Sequence, residues 1–176
     1  MNEHQRVSEH LDVGEFHRRF GVDKDHPPAP RVLTPDVFAF RLGFMLEELA
    51  EYAEASGYKA LAGRIGLLKS SVKHWVEVEQ LELDFGPIPM NLVKAVDALL
   101  DLSYVLHGTA HLMGVDEHKW DECWAAVQRA NMAKVRVAGA EDPRSKRAHR
   151  LDVVKPDGWQ APEPDIAAAL GLESLG

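Results

Sequence analysis

The chain has 176 residues and a formal net charge of −8, because 28 Asp and Glu outnumber 20 Lys and Arg. This length suits one domain with a single core, so we expect residues 1–176 to form a single domain. The negative charge argues against a nucleic-acid partner and against polybasic binding to a membrane surface. No apolar run reaches the length of a membrane span, and the N-terminal residues lack the apolar stretch of a secretory signal. The single cysteine, Cys123, excludes an internal disulfide. Together these features predict a soluble, cytoplasmic protein.

The first half of the chain predicts three helices. Residues 6–20 form a short amphipathic helix, and a proline-rich loop follows. The tripeptide TPD at 34–36 marks the start of a second helix, with a hydroxyl at the N-cap, proline in the first turn and an acid beside it. This helix runs to Ser56, and residues 59–83 form another with a period near 3.6.

The second half of the chain predicts two more helices. The segment DFGPIPMN (84–91) breaks the chain. One helix begins near Asn91 and ends before Gly114, and the next runs from Asp116 to about Val135. Beyond these helices prolines become frequent and the helical period is lost.

No segment alternates apolar and polar residues as a half-buried strand does. We therefore predict an all-α fold, a bundle of four to five main helices. Its helical core spans about 34–135, with the N-terminal helix at 6–20 and an irregular C-terminal arm at 138–176. From Lys134 to Lys155 there are seven Lys and Arg but three Asp and Glu, so this part of an acidic chain is basic.

The second predicted helix carries three carboxylates within one turn, in the sequence FMLEELAEYAEA. Because side chains three and four residues apart are neighbours on a helix, Glu47, Glu48 and Glu51 share one side. Their neighbours are apolar, and like charges at this spacing require a counter-charge. A solvated, Glu-rich helix is the alternative interpretation.

A second acidic pair, Asp97 and Asp101, lies one turn apart in the sequence NLVKAVDALLDLSYVLHGTAHLMG. This helix is apolar on nearly every side from Leu92 to Leu106, and a helix of that kind is expected to be buried. Buried aspartates are costly without compensation. Carboxylates from two facing helices are the ligands that Mg²⁺ or Mn²⁺ prefers, so the two acidic groups predict a divalent-metal site.

Three segments, in this order, resemble the all-α nucleoside-triphosphate pyrophosphohydrolases: FMLEELAEYAEA, VDALLDLSYVLHGTAHLMG and WDECWAAVQRANMAKV. That superfamily includes MazG, dimeric dUTPases and phosphoribosyl-ATP pyrophosphohydrolase. The likeness is strongest to its MazG-like, phosphoribosyl-ATP-pyrophosphohydrolase-like branch. It covers about residues 13–57 and 91–160, and the segment DVVKPDGW in the arm is also similar to that branch.

The resemblance implies a MazG-like helical bundle with Mg²⁺-dependent pyrophosphohydrolase activity. It implies that Glu47, Glu48, Glu51 and Asp101 bind the magnesium, for which Mn²⁺ can substitute, and that Asp97 begins the second acidic motif. The implied reaction splits a (deoxy)nucleotide between its α and β phosphates, with Glu47 or Glu48 as general base. The family also forms dimers, so we expect a homodimer, with further pairing into a tetramer left open.

The chain departs from the family pattern in three places. Its second acidic pair is spaced DxxxD where the family often has ExxD. Between Glu51 and Asp97 lie 45 residues, because residues 59–83 form an additional helical stretch. Related sequences often carry His where this chain has Gln128. A non-catalytic helical interaction module that retains the fold is therefore the alternative function.

Four further residues are candidates for substrate binding. In the helix that begins at Asp116, an apolar stripe turns polar at Asn131 and Lys134, which suit a base or sugar and a phosphate respectively. A fraying helix end is the alternative. Arg150 and Lys155 in the arm are candidates for phosphate contact, and a flexible charged arm is the alternative for them.

Two other kinds of metal site fit less well. His107 and His111 form an HxxxH pair, but His107 lies off the face of Asp97 and Asp101, and His111 is about 15 Å beyond Asp101 along the helix axis. We therefore interpret both histidines as ordinary packed or exposed residues. A di-iron bundle needs Glu-x-x-His on two helices, and no Glu in this chain is followed by His at that spacing.

Overall fold

The computed structural model describes residues 9–21, 29–81, 91–145 and 147–172. These residues form six helices and one two-stranded ribbon, which confirms the all-α class and the C-terminal arm. The helices are α1 (Glu9–Arg19), α2 (Pro35–Ala55), α3 (Lys59–Leu81), α4 (Leu92–Leu112), α5 (Glu117–Met132) and α6 (Glu163–Ala169); the strands are β1 (Val135–Arg136) and β2 (Val153–Val154).

Some predicted features lie outside the described residues. These are the first residues of the N-terminal helix, most of the proline-rich loop after it, and the chain break at 84–90. Position 146 and the last four positions of the arm also lie outside them. The ribbon and α6 were not predicted, because strands of two residues show no alternation and α6 has only seven residues.

Local signals set the helix ends. Helix α2 starts at Pro35 as predicted, and Thr34 precedes it in an extended conformation, although its hydroxyl makes no capping hydrogen bond. After α2, Gly57 has a φ of +90°, a left-handed conformation that glycine adopts without steric cost. Asn91 and Asp116 cap α4 and α5, each accepting a hydrogen bond from the backbone N–H three residues further on at 3.0 Å.

The chain divides into two compact units, which we describe separately. The first, the helical-pair unit, is Ala29–Asp97 and contains α2, α3 and the start of α4. Within it α2 packs against α3 as an antiparallel hairpin joined by a short turn. Its buried side chains are small: Ala39, Ala53, Ala62 and Val72.

The second unit, the arm unit, consists of Met1–Pro28 and Ala98–Gly176. In it α5 lies against both α1 and α6. Strands β1 and β2 pair antiparallel, with Val135 opposite Val154. The buried apolar side chains of this unit are Phe20, Ala126, Ala130 and Val137.

Helix α4 is exposed along most of its length. The expectation that it is buried is therefore wrong for the single chain, because an apolar helix is buried only where another element covers it. None of the described helices combines the length and apolar character that a membrane span requires. The large exposed side chains of α4 include Val93, Val96, Leu99, Leu100, Leu102, Tyr104, Val105 and Leu106.

Candidate active site

The three predicted carboxylates of α2 lie near its C-terminal end. Glu47 is half-buried, with 24% of its side chain exposed, and its Oε2 accepts a hydrogen bond from Lys69 Nζ of α3 at 2.8 Å. Glu48 and Glu51 are exposed. The counter-charge that the acidic spacing requires is thus provided to Glu47 by a lysine of the neighbouring helix.

The two aspartates of α4 are exposed as well. Asp97 is the last residue of the helical-pair unit, and Asp101 belongs to the arm unit. They lie one turn apart on the same continuous helix, so their side chains share one face of it. Exposure removes the desolvation cost that the sequence pattern implied for them.

The acidic residues are hard oxygen donors of the kind that Mg²⁺ prefers, but the described part of the chain does not bring enough of them together. Within the part of the chain that the structure describes, no three His, Cys, Asp or Glu side chains are placed so that they could hold a metal ion. The three carboxylates of α2 spread over an arc of about 100° around that helix. Helix α2 alone therefore does not bring together three donors for a metal ion.

Three of the four substrate-binding candidates gather at one end of the ribbon. Asn131 lies in the last turn of α5, and its carbonyl accepts a hydrogen bond from the backbone N–H of Lys134 at 3.1 Å. The register of the ribbon, continued by one residue, places Lys134 opposite Lys155. Lys155 Nζ lies 4.1 Å from the centre of the Trp159 ring, a distance at which the cation is attracted by the ring face.

Arg150 lies apart from these three, in the loop that joins β1 to β2. It is exposed, and its carbonyl accepts a hydrogen bond from Arg136 Nη2 at 3.4 Å. Arg136 Nη1 also donates to the carbonyl of Phe20 at 2.7 Å, which ties the loop to the end of α1. Arg150 and Lys155 are thus on opposite sides of β2 along the chain.

The loop between the strands is organised by Asp152, which is fully buried. Its carboxylate accepts hydrogen bonds from Ser145 Oγ at 2.8 Å, from Arg147 Nη1 at 3.1 Å and from the backbone N–H of Val153 at 3.0 Å. Ala148 within this loop has a φ of +46°, a strained conformation for a residue with a Cβ. The network around Asp152 holds the loop in this conformation.

The tryptophan stripe of α5 faces α1. Trp120 Nε1 donates a hydrogen bond to a carboxylate oxygen of Glu9, and Trp124 Nε1 donates to Asp12 Oδ2 at 2.7 Å. Gln128 Nε2 donates to the carbonyl of Asp12 at 3.1 Å. These contacts give Gln128 a structural role between α5 and α1.

His107 and Cys123 have structural surroundings. His107 Nε2 is 3.6 Å from a carboxylate oxygen of Glu9, and its ring packs edge-on against Trp120. Burial raises the pKa of the Cys123 thiol, and the charge of Glu122 adds to this effect. The thiol therefore stays protonated at neutral pH, which does not suit a nucleophile.

Sequence reasoning missed Lys69 and Asp152. For Lys69 a signal was present, since residues 59–76 contain four Lys and Arg and no Asp or Glu in a chain of net charge −8. For Asp152 no local signal exists, because its donors are brought together by the ribbon and its loop.

The chain matches the phosphoribosyl-ATP pyrophosphohydrolase family over residues 13–131. This match spans more than half of the chain and includes both acidic groups. The chain belongs to this family. Membership confirms the all-α pyrophosphohydrolase superfamily that the motifs indicated, and it implies pyrophosphohydrolase activity on a nucleotide-like substrate. No curated protein and no solved structure matches the chain.

Proposed function

We propose that the protein is a Mg²⁺-dependent, MazG-like pyrophosphohydrolase that cleaves a (deoxy)nucleoside triphosphate or a related nucleotide between the α and β phosphates. The products are a nucleoside monophosphate and pyrophosphate. The observation that carries this proposal is the family match over residues 13–131, which contains the carboxylates of α2 and α4.

In this proposal Glu47, Glu48, Glu51, Asp97 and Asp101 hold Mg²⁺, and Mn²⁺ can replace it. Bound Mg²⁺ supplies positive charge to phosphate oxygens and lowers the pKa of a bound water. Glu47 or Glu48 accepts the proton of the attacking water. The carboxylates are hard oxygen donors, which supports this assignment.

The substrate-binding part of the proposal rests on the arm unit. Asn131 hydrogen-bonds the base or sugar, and Lys134, Arg150 and Lys155 contact phosphates. Their residue types support this role, because a lysine ammonium and an arginine guanidinium both donate hydrogen bonds to phosphate oxygens.

We also propose that the protein is a homodimer in which a second copy covers α4. Contiguous exposed apolar surface marks an interaction site, and α4 carries such surface on nearly every side. A second copy would also bring further carboxylates, and within the described residues of one chain no three donors are grouped around a metal ion. Light scattering at micromolar concentration distinguishes a dimer from a tetramer, and a monomer would contradict the proposal.

The deciding experiment measures pyrophosphate release from a panel of canonical and modified (deoxy)nucleoside triphosphates and from phosphoribosyl-ATP. We expect turnover that requires Mg²⁺ or Mn²⁺ and is abolished in Glu51→Gln and Asp101→Asn. Glu54→Gln is the matched control, because Glu54 is an exposed acid on the same helix outside the proposed set. Millimolar Mg²⁺ should also raise the melting temperature of the wild type.

A non-catalytic helical interaction module is the second candidate function. It is favoured by one observation, the lack of a three-donor group within the described residues of one chain. The same panel separates the two candidates. Release of no pyrophosphate from any substrate, together with a melting temperature that Mg²⁺ leaves unchanged, would establish the module and contradict the enzyme.

A further inference from the structure

Helix α3 is a basic helix packed against an acidic one. Residues 59–76 of α3 carry four Lys and Arg and no Asp or Glu, whereas residues 35–55 of α2 carry five Asp and Glu and one Arg. The two helices pack against each other within the helical-pair unit. This segregation of charge is local, because the chain as a whole is acidic.

Lys69 is where the two charge distributions meet. Its Nζ donates to Glu47 Oε2 at 2.8 Å, with 37% of the lysine side chain and 24% of the glutamate side chain exposed. The ammonium group is therefore at the edge of the carboxylate cluster and still accessible from solvent. Ion pairs that remain partly exposed contribute little to stability, so holding α2 and α3 together does not account for this placement.

A polyphosphate that approaches the carboxylates of α2 is repelled by them unless cations lie beside them. A lysine ammonium is a compact charge with three donors on a flexible stem, which suits a phosphate oxygen as well as a carboxylate. Lys69 is already at the cluster, and rotation of its side chain exchanges one anionic partner for another.

We propose that Lys69 is a substrate-binding residue that contacts a phosphate group of the nucleotide, and that its ion pair with Glu47 is the resting position of the side chain. This inference rests on the proposed function, in which the carboxylates of α2 line the active site. It gives a role to α3, the helical stretch by which this chain departs from the family pattern.

Binding of inorganic pyrophosphate by the full-length protein tests the proposal directly. We would measure its affinity by isothermal titration calorimetry in buffer with millimolar Mg²⁺, for the wild type, Lys69→Met, Lys69→Arg and Lys73→Met. Lys73 is the matched control, since it lies one turn further along α3 and is highly exposed, and its Nζ is 3.9 Å from Glu77 of the same helix.

Lys69→Met should weaken pyrophosphate binding by about tenfold, because a charge-assisted hydrogen bond is lost. Lys69→Arg should retain part of the affinity, and Lys73→Met should match the wild type. In the activity assay, Lys69→Met should raise KM more than it lowers kcat. The melting temperature of Lys69→Met should stay close to that of the wild type. If the ion pair were merely structural, the weaker binding would instead be accompanied by a lower melting temperature.

The outcomes also separate this inference from the proposed function. If Lys69→Met turns over substrate with unchanged KM and binds pyrophosphate with unchanged affinity, the proposed activity stands and the role of Lys69 is overturned. Pyrophosphate binding that depends on Lys69, without turnover of any substrate in the panel, supports Lys69 and contradicts the pyrophosphohydrolase activity. Equal weakening in Lys69→Met and Lys73→Met, or no binding by the wild type, overturns the proposal.

Discussion

Helix α4 and the C-terminal arm differ in which side chains they bury. Helix α4 is strongly apolar, yet its leucines and valines are exposed in the single chain. The arm is rich in proline and charge, yet it contains Asp152, the one described residue whose large side chain is fully buried. The hydrophobic effect is non-directional, so any complementary apolar surface can bury such side chains. Hydrogen bonds to a carboxylate are directional and fix one local arrangement.

If the proposed homodimer forms, α4 depends on the second copy for its burial, whereas the buried carboxylate of the arm has its donors within the chain. The arm unit closes on itself through polar contacts, such as those of Asp152 with Ser145 and Arg147. The exposed side of α4 has no such contacts to offer. Variants that remove the cover of α4, or the network of the arm, should therefore fail in different ways.

The largest effect is expected for Leu99→Glu combined with Leu106→Glu. These leucines lie on the side of α4 opposite Asp97 and Asp101, by the rotation of about 100° per residue. If a second copy buries them, each contributes about 1.5–3 kcal/mol, so the dimer should weaken more than a hundredfold. Sedimentation velocity measures this change, and pyrophosphate release should fall with it.

Leu172→Glu is the control for that pair, because Leu172 is an exposed leucine outside α4. It should leave the assembly intact. A dimer that persists unchanged in the Leu99 and Leu106 double variant would show that α4 is not the interface. It would also contradict the proposal that a second copy buries α4.

An intermediate effect is expected for Asp152→Ala. The substitution leaves Arg147, which is 24% exposed, without its buried carboxylate and opens the loop between the strands. Loss of a buried charged partner should lower the free energy of unfolding by about 2–4 kcal/mol. Chemical denaturation measures the loss, and amide hydrogen exchange should increase in the arm.

Asp157→Ala serves as the reference for Asp152, since Asp157 is an exposed acid of the same arm. Surface substitutions of this kind change stability by less than about 0.5 kcal/mol. Equal stability of the two variants would mean that polar contacts do not close the arm. The difference from α4 would then lie in apolar packing alone.

The smallest effect concerns pH and Asp142. The Arg144 side chain, together with the backbone N–H groups of Ala138 and Arg144, holds the pKa of this carboxyl well below its ordinary value of 3.8. Because the charged form is favoured in the folded state, its contribution is complete above pH 3.8 and is lost as the pH falls through the lowered pKa. Denaturation of wild type and Asp142→Asn at decreasing pH measures it.

The stability difference between wild type and Asp142→Asn should shrink as the pH falls below 3.8. A difference that stays constant down to about pH 2 would contradict the lowered pKa.

Local rules predicted helices α1 to α5 but not the contacts between them. The start of α2 at Pro35, the caps at Asn91 and Asp116, and the left-handed Gly57 each depend on residues that are neighbours in the chain. The burial expected for α4 was wrong for one chain, because an apolar pattern indicates that cover is needed and does not identify it.

The candidate site likewise has some features that local rules predict and others that depend on contacts between helices. The grouping of Glu47, Glu48 and Glu51 on one side of α2 follows from the helical period alone, and the family match is consistent with the motif that contains them. Their assignment to a metal, and the roles of Asn131, Lys134, Arg150 and Lys155, stay predictions. The helical period could not predict the ion pair between Lys69 and Glu47, because these residues lie on two different helices.

The sequence by itself determined the positions of helices α1 to α5, the spacing of the acidic residues and the family, because caps, periodicity and motifs are properties of neighbouring residues. Only the tertiary structure decided which groups meet across the chain. It paired Glu47 with Lys69, buried Asp152 among its donors and brought Val135 opposite Val154. The physical reason is that such pairings depend on how helices and strands pack, which no local propensity specifies.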